Sequence, residues 1–254
     1  MSKPWADTPF SLLPIPGQPG ARTSTNPGVL SVCIEMANVH NALLRGLNSI
    51  YLQAPHITQP TDIADFLLYT QAWADTVHHH HSLEEQLFFP VIKDLALAAG
   101  IAADVMEGNV EQHHVFEPKL QEMLAWVAAV RKGDRVWDSG VLVGLLDGFA
   151  SILTQHLHDE IETLFALEKC DGEAIRKVMA KTAQEGAKSA DPQYLVIPQV
   201  LGCVDKSYPG GESFPPVPFV VPWLNAYWFA RRHKGCWRFN PCDHWGRPRP
   251  LEFV

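Results

Sequence analysis

The chain has 254 residues, 46% of them apolar, which is enough for one large domain or two small ones around a sizeable core. Its formal net charge of -8 argues against nucleic acid as a partner, because that surface calls for a basic patch. No apolar run reads as long enough to cross a bilayer, so no membrane partner is expected.

Residues 1–26 are rich in Pro and Gly and read as an extended N-terminal arm. Their short apolar stretch is broken by prolines and has neither a basic leader nor a small-residue cleavage site, so it does not read as a signal peptide. Residues 27–188 carry long 3.6-period patterns with few prolines. A first helix starts near Asn26-Pro27, an N-cap with Pro at the first helical position, and carries Met36, His40, Leu43, Leu47 and Ile50. A second starts near Thr61 and carries Phe66, Trp73, Val77, His80, Glu84, Leu87 and Val91, with Pro90 expected to bend or end it. A third carries Met106, Val110, His113, Glu117, Leu120, Leu124 and Val127. A fourth, capped by Asp138, carries Leu146, Phe149, Leu153, His156, Glu160 and Leu167. A shorter fifth helix is expected from Asp171 to about Lys188. Short connections between long helices favour antiparallel neighbours, so the expected fold is all-α: an up-down-up-down four-helix bundle. Residues 189–254 hold ten of the 20 prolines and many aromatics, including Trp223, Tyr227, Trp228, Trp237 and Trp245. They are too aromatic for disorder and read as a mostly irregular C-terminal extension packed on the bundle. The five cysteines, an odd and scattered set, fit reduced thiols and a cytoplasmic location.

The histidines fall on the apolar seams. From Trp73 to Val91 the second seam steps by 4, 3, 4, 3 and 4 residues, and His80 and Glu84 lie within it. His113 and Glu117 lie within the third seam, His156 and Glu160 within the fourth, and His40 on the first. Within the run HHHHSLEE, each residue turns about 100° around the helix, so His79 and His81 point away from His80. The pair His81 and Glu85 is the competing register.

One His on an apolar face is ordinarily a hydrogen-bonded core residue, and one HxxxE pair an exposed helix-stabilising pair. Three such pairs and a further His, in register on four helices, need a shared counter-charge, because buried unpaired carboxylates cost several kcal/mol each. A pair of metal ions supplies it. Imidazole with carboxylate suits iron, zinc or manganese, and the lack of seam thiolates disfavours a structural zinc site.

With NVHN (38–41), HHSLEEQLFFP (80–90), EQHH (111–114) and HLHDE (156–160) in this order, the chain resembles the hemerythrin-like, HHE cation-binding family over roughly residues 30–170. The resemblance implies two iron ions inside the bundle, bridged by an oxo or hydroxo group. It implies bridging carboxylates from Glu84 and Glu160, His40 and His80 on one iron, and His113 and His156 on the other. Where the family pattern has a third histidine, four residues after His113, this chain has Glu117, followed by Pro118. With Glu117 counted beside His113 and His156, that iron has six ligands, and the one on His40 and His80 has five and an open position, the expected place for dioxygen as partner.

An anionic Glu117 in place of an imidazole favours the oxidised metal, which moves the expectation from oxygen carriage toward oxidation of a small-molecule substrate. The aromatic stretch 218–239 is expected either to line an apolar pocket, with Arg231, Arg232 or Lys234 for an anionic group, or simply to cover the bundle. His233, Cys236, Cys242 and His244 match no common zinc-finger spacing. Three classes of function follow: a di-iron oxidase or oxygenase, a protein that binds or senses oxygen, nitric oxide or iron without turnover, and a metal-free helical interaction module.

Overall fold

The periodic segments become helices whose ends carry the caps expected of them. In the computed structural model, which describes residues 5–188 and 195–254, α1 spans Pro27–Gln53, and the Asn26 side chain accepts from the N–H groups of Gly28 and Val29. Residues 1–4 of the arm and the boundary drawn at residue 189 lie outside the described residues. α2 (Pro60–Leu83) continues through one π turn, Glu84–Phe88, into α3 (Phe89–Ala98). Pro90 lacks an N–H, and its ring would crowd the carbonyl four residues back in a regular helix; a wider turn relieves that clash. The turn closes with the Phe89 N–H on the Glu84 carbonyl, five residues back. It absorbs one extra residue, so the buried line moves. Phe88 and Ile92 are fully buried where Leu87 and Val91 were expected, and Val91 is 42% exposed.

α4 (Glu107–Lys132) ends at Gly133, whose φ of 84° is the left-handed cap a glycine supplies. The fourth helix forms as two pieces, α5 (Ser139–Asp147), capped by the Asp138 side chain, and α6 (Ala150–Phe165). At the break, Lys119 Nζ donates to the Gly148 carbonyl at 2.8 Å, and Phe149 turns inward to stack on Trp73. The run Ser139–Phe165 reaches a mean hydropathy of 1.3 over 18 residues, so length and composition alone do not exclude it as a span. Here it is broken in the middle and carries buried His156 and Glu160 into the bundle.

α1, α2, α4 and α6 pack in a closed ring. Antiparallel neighbours follow from paired levels: Trp73 Nε1 donates to the Leu43 carbonyl while His80 meets His40, and His81 meets His113 while Gln71 meets Arg131. The same holds between α4 and α6, where Asn109 pairs with Thr163 and His113 with His156. The expected all-α, up-down-up-down bundle is the fold observed. α7 (Gly172–Lys188), capped by Asp171, lies across α1, α2, the π turn and α3. Its start crosses the start of α1 at Gly28 and Gly172, where a Cβ on either would overlap the other segment.

One face of α1 is polar yet buried, because the chain's two ends lie on it. Asn41 accepts from the Leu13 N–H at 2.7 Å and donates to the Leu13 carbonyl at 2.9 Å. Asn48 does the same with Phe10 and also donates to the Ala6 carbonyl. Arg45 meets Asp7 at 3.0 Å and Asp205 at 3.9 Å. The C-terminal segment contributes α8 (Ile197–Cys203), α9 (Val221–Tyr227) and short 3-10 turns. Phe239 packs between Phe66 and Phe253, each at 4.9 Å, and its carbonyl accepts from Ser49 and Gln53. This closes the bundle end where α1 finishes and α2 begins. Phe219, Trp223, Tyr227 and Trp228 instead face outward, Phe219 at 88% exposure, so they line no internal pocket at the histidine cluster.

Candidate metal centre

The centre sits halfway along the bundle, one level deep in each of the four ring helices. Each inward imidazole is first oriented from outside. His40 Nδ1 lies 2.8 Å from the Leu157 carbonyl, which can only accept, so the proton is on Nδ1 and Nε2 is bare. His113 Nδ1 lies 2.7 Å from Glu85 Oε1, with the same consequence. His156 Nδ1 lies 3.1 Å from Gln112 Oε1, and the Gln112 amide nitrogen donates to Asp159 Oδ2 at 2.8 Å, which keeps its oxygen toward the histidine. Such outer bonds are what fix tautomer and direction in metal-binding histidines.

Inside, the bare atoms face one another. The Nε2 atoms of His113 and His156 are 3.0 Å apart, lone pair toward lone pair. His40 Nε2 lies 3.2 Å from Glu160 Oε2, and His80 Nε2 lies 3.0 Å from Glu84 Oε1, both without hydrogen-bond geometry. Both ring nitrogens of His81 and all four oxygens of Glu84 and Glu160 are buried without partners. Two groups of donors result, each within 4.8 Å: His81, Glu84, His113 and His156, and His40, His80, Glu84 and Glu160. Glu84 belongs to both.

Burial, with Glu160 and Glu85 nearby, pushes the Glu84 carboxyl well above its usual range. Burial also raises Glu160, but the contact with His40, together with any positive charge on His40, His80 and His113, outweighs it and holds Glu160 low. Burial holds His80, His81 and His156 well below the usual imidazole value, and His113 below it despite Glu85. Neutral imidazoles with inward lone pairs are the form that ligates a metal. A cation at each donor group would take up the inward imidazole lone pairs and the carboxylate oxygens, leaving one nitrogen of His81 over, so the residues fit metal binding. All five thiols are buried and none joins either group, which leaves a nitrogen and oxygen donor set.

Six of the seven residues expected at the site meet here: His40, His80, Glu84, His113, His156 and Glu160. Glu117 does not. The core line of α4 runs through Phe116 and Leu120, both fully buried, rather than through Glu117. The Glu117 carboxylate turns sideways to His78, 2.5 Å away, and to Gln121. Its place is taken by His81, read from sequence as pointing away. The physical reason is that the inward face of α2 is wide enough to present a donor to each of the two groups. Relative to Glu84, His80 lies about 40° to one side and His81 about 60° to the other, so each can serve a different group. The competing His81–Glu85 register is also used: His81 lies in the cluster and Glu85 orients His113. With Glu117 outside, the cluster holds two carboxylates, and the charge argument toward an oxidised metal no longer applies.

The hemerythrin HHE cation-binding domain matches residues 35–167 of this chain. The chain belongs to the hemerythrin HHE family. The matched span of this hemerythrin-like chain contains every residue of both donor groups. It is also 36% identical to the dimeric xanthone biosynthesis cluster protein R11 of Cryptosporiopsis sp. (strain 8999), covering 99% of this chain and 94% of that relative. That similarity takes in the arm and the C-terminal segment that lie outside the HHE domain. No solved structure matches the chain.

Proposed function

We propose that the chain holds two iron ions in these donor groups and takes part in a dioxygen-consuming oxidation of a small organic metabolite. The observation that carries cation binding is the pair of bare Nε2 atoms of His113 and His156, 3.0 Å apart and each fixed in that tautomer from behind. Two lone pairs so placed repel unless a positive centre lies between them. Imidazole and carboxylate donors suit iron, with zinc and manganese as competitors. When bound, such a pair supplies dioxygen binding and the electrons to reduce it.

The chain's own residues do the rest. Glu84 ties the two groups together, so both positions depend on one side chain. Leu157, Glu85 and Gln112 hold three imidazoles in the ligating tautomer. Phe88, Phe116 and the other fully buried aromatics keep bulk water out. A role in turnover is supported by the relative's place in a biosynthesis cluster.

A second reading, reversible binding or sensing of dioxygen or nitric oxide, is favoured by the small size, about 110 Å³, of the cavity between α2 and α4 that touches the centre. Metal analysis of untagged protein, followed by oxygen uptake with the reduced protein, separates the readings. Stoichiometric iron with uptake that depends on an added phenolic metabolite supports oxidation. Iron with a stable, reversible gas complex and no turnover supports the second reading, and no bound metal overturns both.

A further inference from the structure

The cavity between α2 and α4 has a graded lining. At its mouth His78 and Glu117 meet at 2.5 Å, with side chains 52% and 25% exposed. Glu85, 35% exposed, and Ser82 form the wall, and His81 and His113 lie at the floor, with the His113 side chain 3% exposed. Both ring nitrogens of His81 are unpartnered there, although the residue is almost wholly buried. Carboxylates and imidazoles thus continue from solvent to the cluster without an apolar gap. The volume, about 110 Å³, has room for a few waters, whereas pockets for organic ligands run to about 300–1,000 Å³. A polycyclic metabolite does not fit; an apolar gas does, but the two carboxylates add nothing for it.

We propose that this cavity is the loading path of the centre, and that His78 and Glu117 form a transient site where a divalent cation is first captured. The inference rests on the reading of the donor groups as a metal centre. An arriving cation takes the Glu117 carboxylate and the His78 imidazole in place of their mutual contact, then passes Glu85 to the free nitrogens of His81. In this arrangement Glu117 serves the metal without residing at the centre. That explains a carboxylate held at the rim by His78 and Gln121 rather than left in bulk solvent.

The test uses the metal-free full-length chain and cobalt(II), followed by its visible absorption in a rapid-mixing experiment, with final cobalt content measured separately. Glu117→Gln combined with His78→Gln should slow uptake by about tenfold or more, the range by which charged clefts raise encounter rates. The final cobalt content should equal that of the unaltered chain. Ser82→Phe, which fills the cavity and keeps both rim groups, should slow uptake as well. Glu173→Gln, at an exposed position of α7, should have no effect. Uptake at the original rate in both the rim and the plugging variants overturns the loading path while leaving the centre intact. Loss of final cobalt in the rim variant makes His78 and Glu117 resident ligands and also overturns it. No uptake by the unaltered chain overturns the metal centre itself.

Discussion

Replacing Glu84 by methionine should change the stability of the metal-free and metal-loaded protein in opposite directions. In the metal-free chain both Glu84 oxygens are buried and unpartnered, close to a second carboxylate, Glu160. Two unsatisfied buried acceptors cost about 1–3 kcal/mol each. The poorly oriented contact with His80 at 3.0 Å returns on the order of 1 kcal/mol. An apolar side chain of similar volume removes both effects, for a net gain of about 1–5 kcal/mol. At this chain length each kcal/mol is worth about 2–4 °C in Tm. The unaltered chain instead gains stability from bound metal, about 2.7 kcal/mol at a hundredfold excess over Kd. The variant, having lost the donor common to both groups, should gain much less. Calorimetry of both proteins, stripped and then supplied with ferrous iron under anaerobic conditions, should show the order of Tm reverse. A stripped Glu84→Met protein less stable than the stripped parent would refute the reasoning, because the carboxylate would then be satisfied without a cation.

His81→Ala should lose about one of the two metal equivalents, whereas Glu117→Ala should retain both, read by metal analysis after dialysis; equal losses would restore Glu117 to the centre. The stripped protein should weaken on acidification. His80, His81, His113 and His156 have pKa values lowered by burial, so the stability they supply is present above about pH 6.5 and lost as pH falls toward their folded values. Glu84, raised in the fold, releases a proton on unfolding in that window and offsets one of the four. For these groups three net protons correspond to at most about 4 kcal/mol per pH unit, and a flat urea midpoint between about pH 7 and 5.5 would count against neutral buried imidazoles. Asn48→Ala removes the three hydrogen bonds that hold Ala6 and Phe10. It should cost about 1–3 kcal/mol and make the arm more sensitive to protease, with metal content unchanged.

The bundle was legible because its signals are local. Caps at Asn26, Asp138 and Asp171 and the 3.6-residue spacing of apolar groups report helix positions without reference to anything distant. Six donors were legible for the same reason: a polar residue on an otherwise apolar stripe is buried wherever the stripe is. The burial of Asn41, Asn48 and Arg45 on α1, by contrast, has no local signal, because only the arrival of Leu13, Phe10 and Asp205 from the two ends of the chain buries them.

By itself, then, the sequence determined that four helices would bring imidazoles and carboxylates to one core, since periodicity and capping act within a few residues. Only the tertiary structure decided which of two near-equivalent lines on α4 faces that core, Phe116 and not Glu117, and that both His80 and His81 turn inward. Those choices depend on what the facing helices present. A single helix's period, which puts the competing residues only about 40° and 60° to either side of the donor they flank, cannot resolve them.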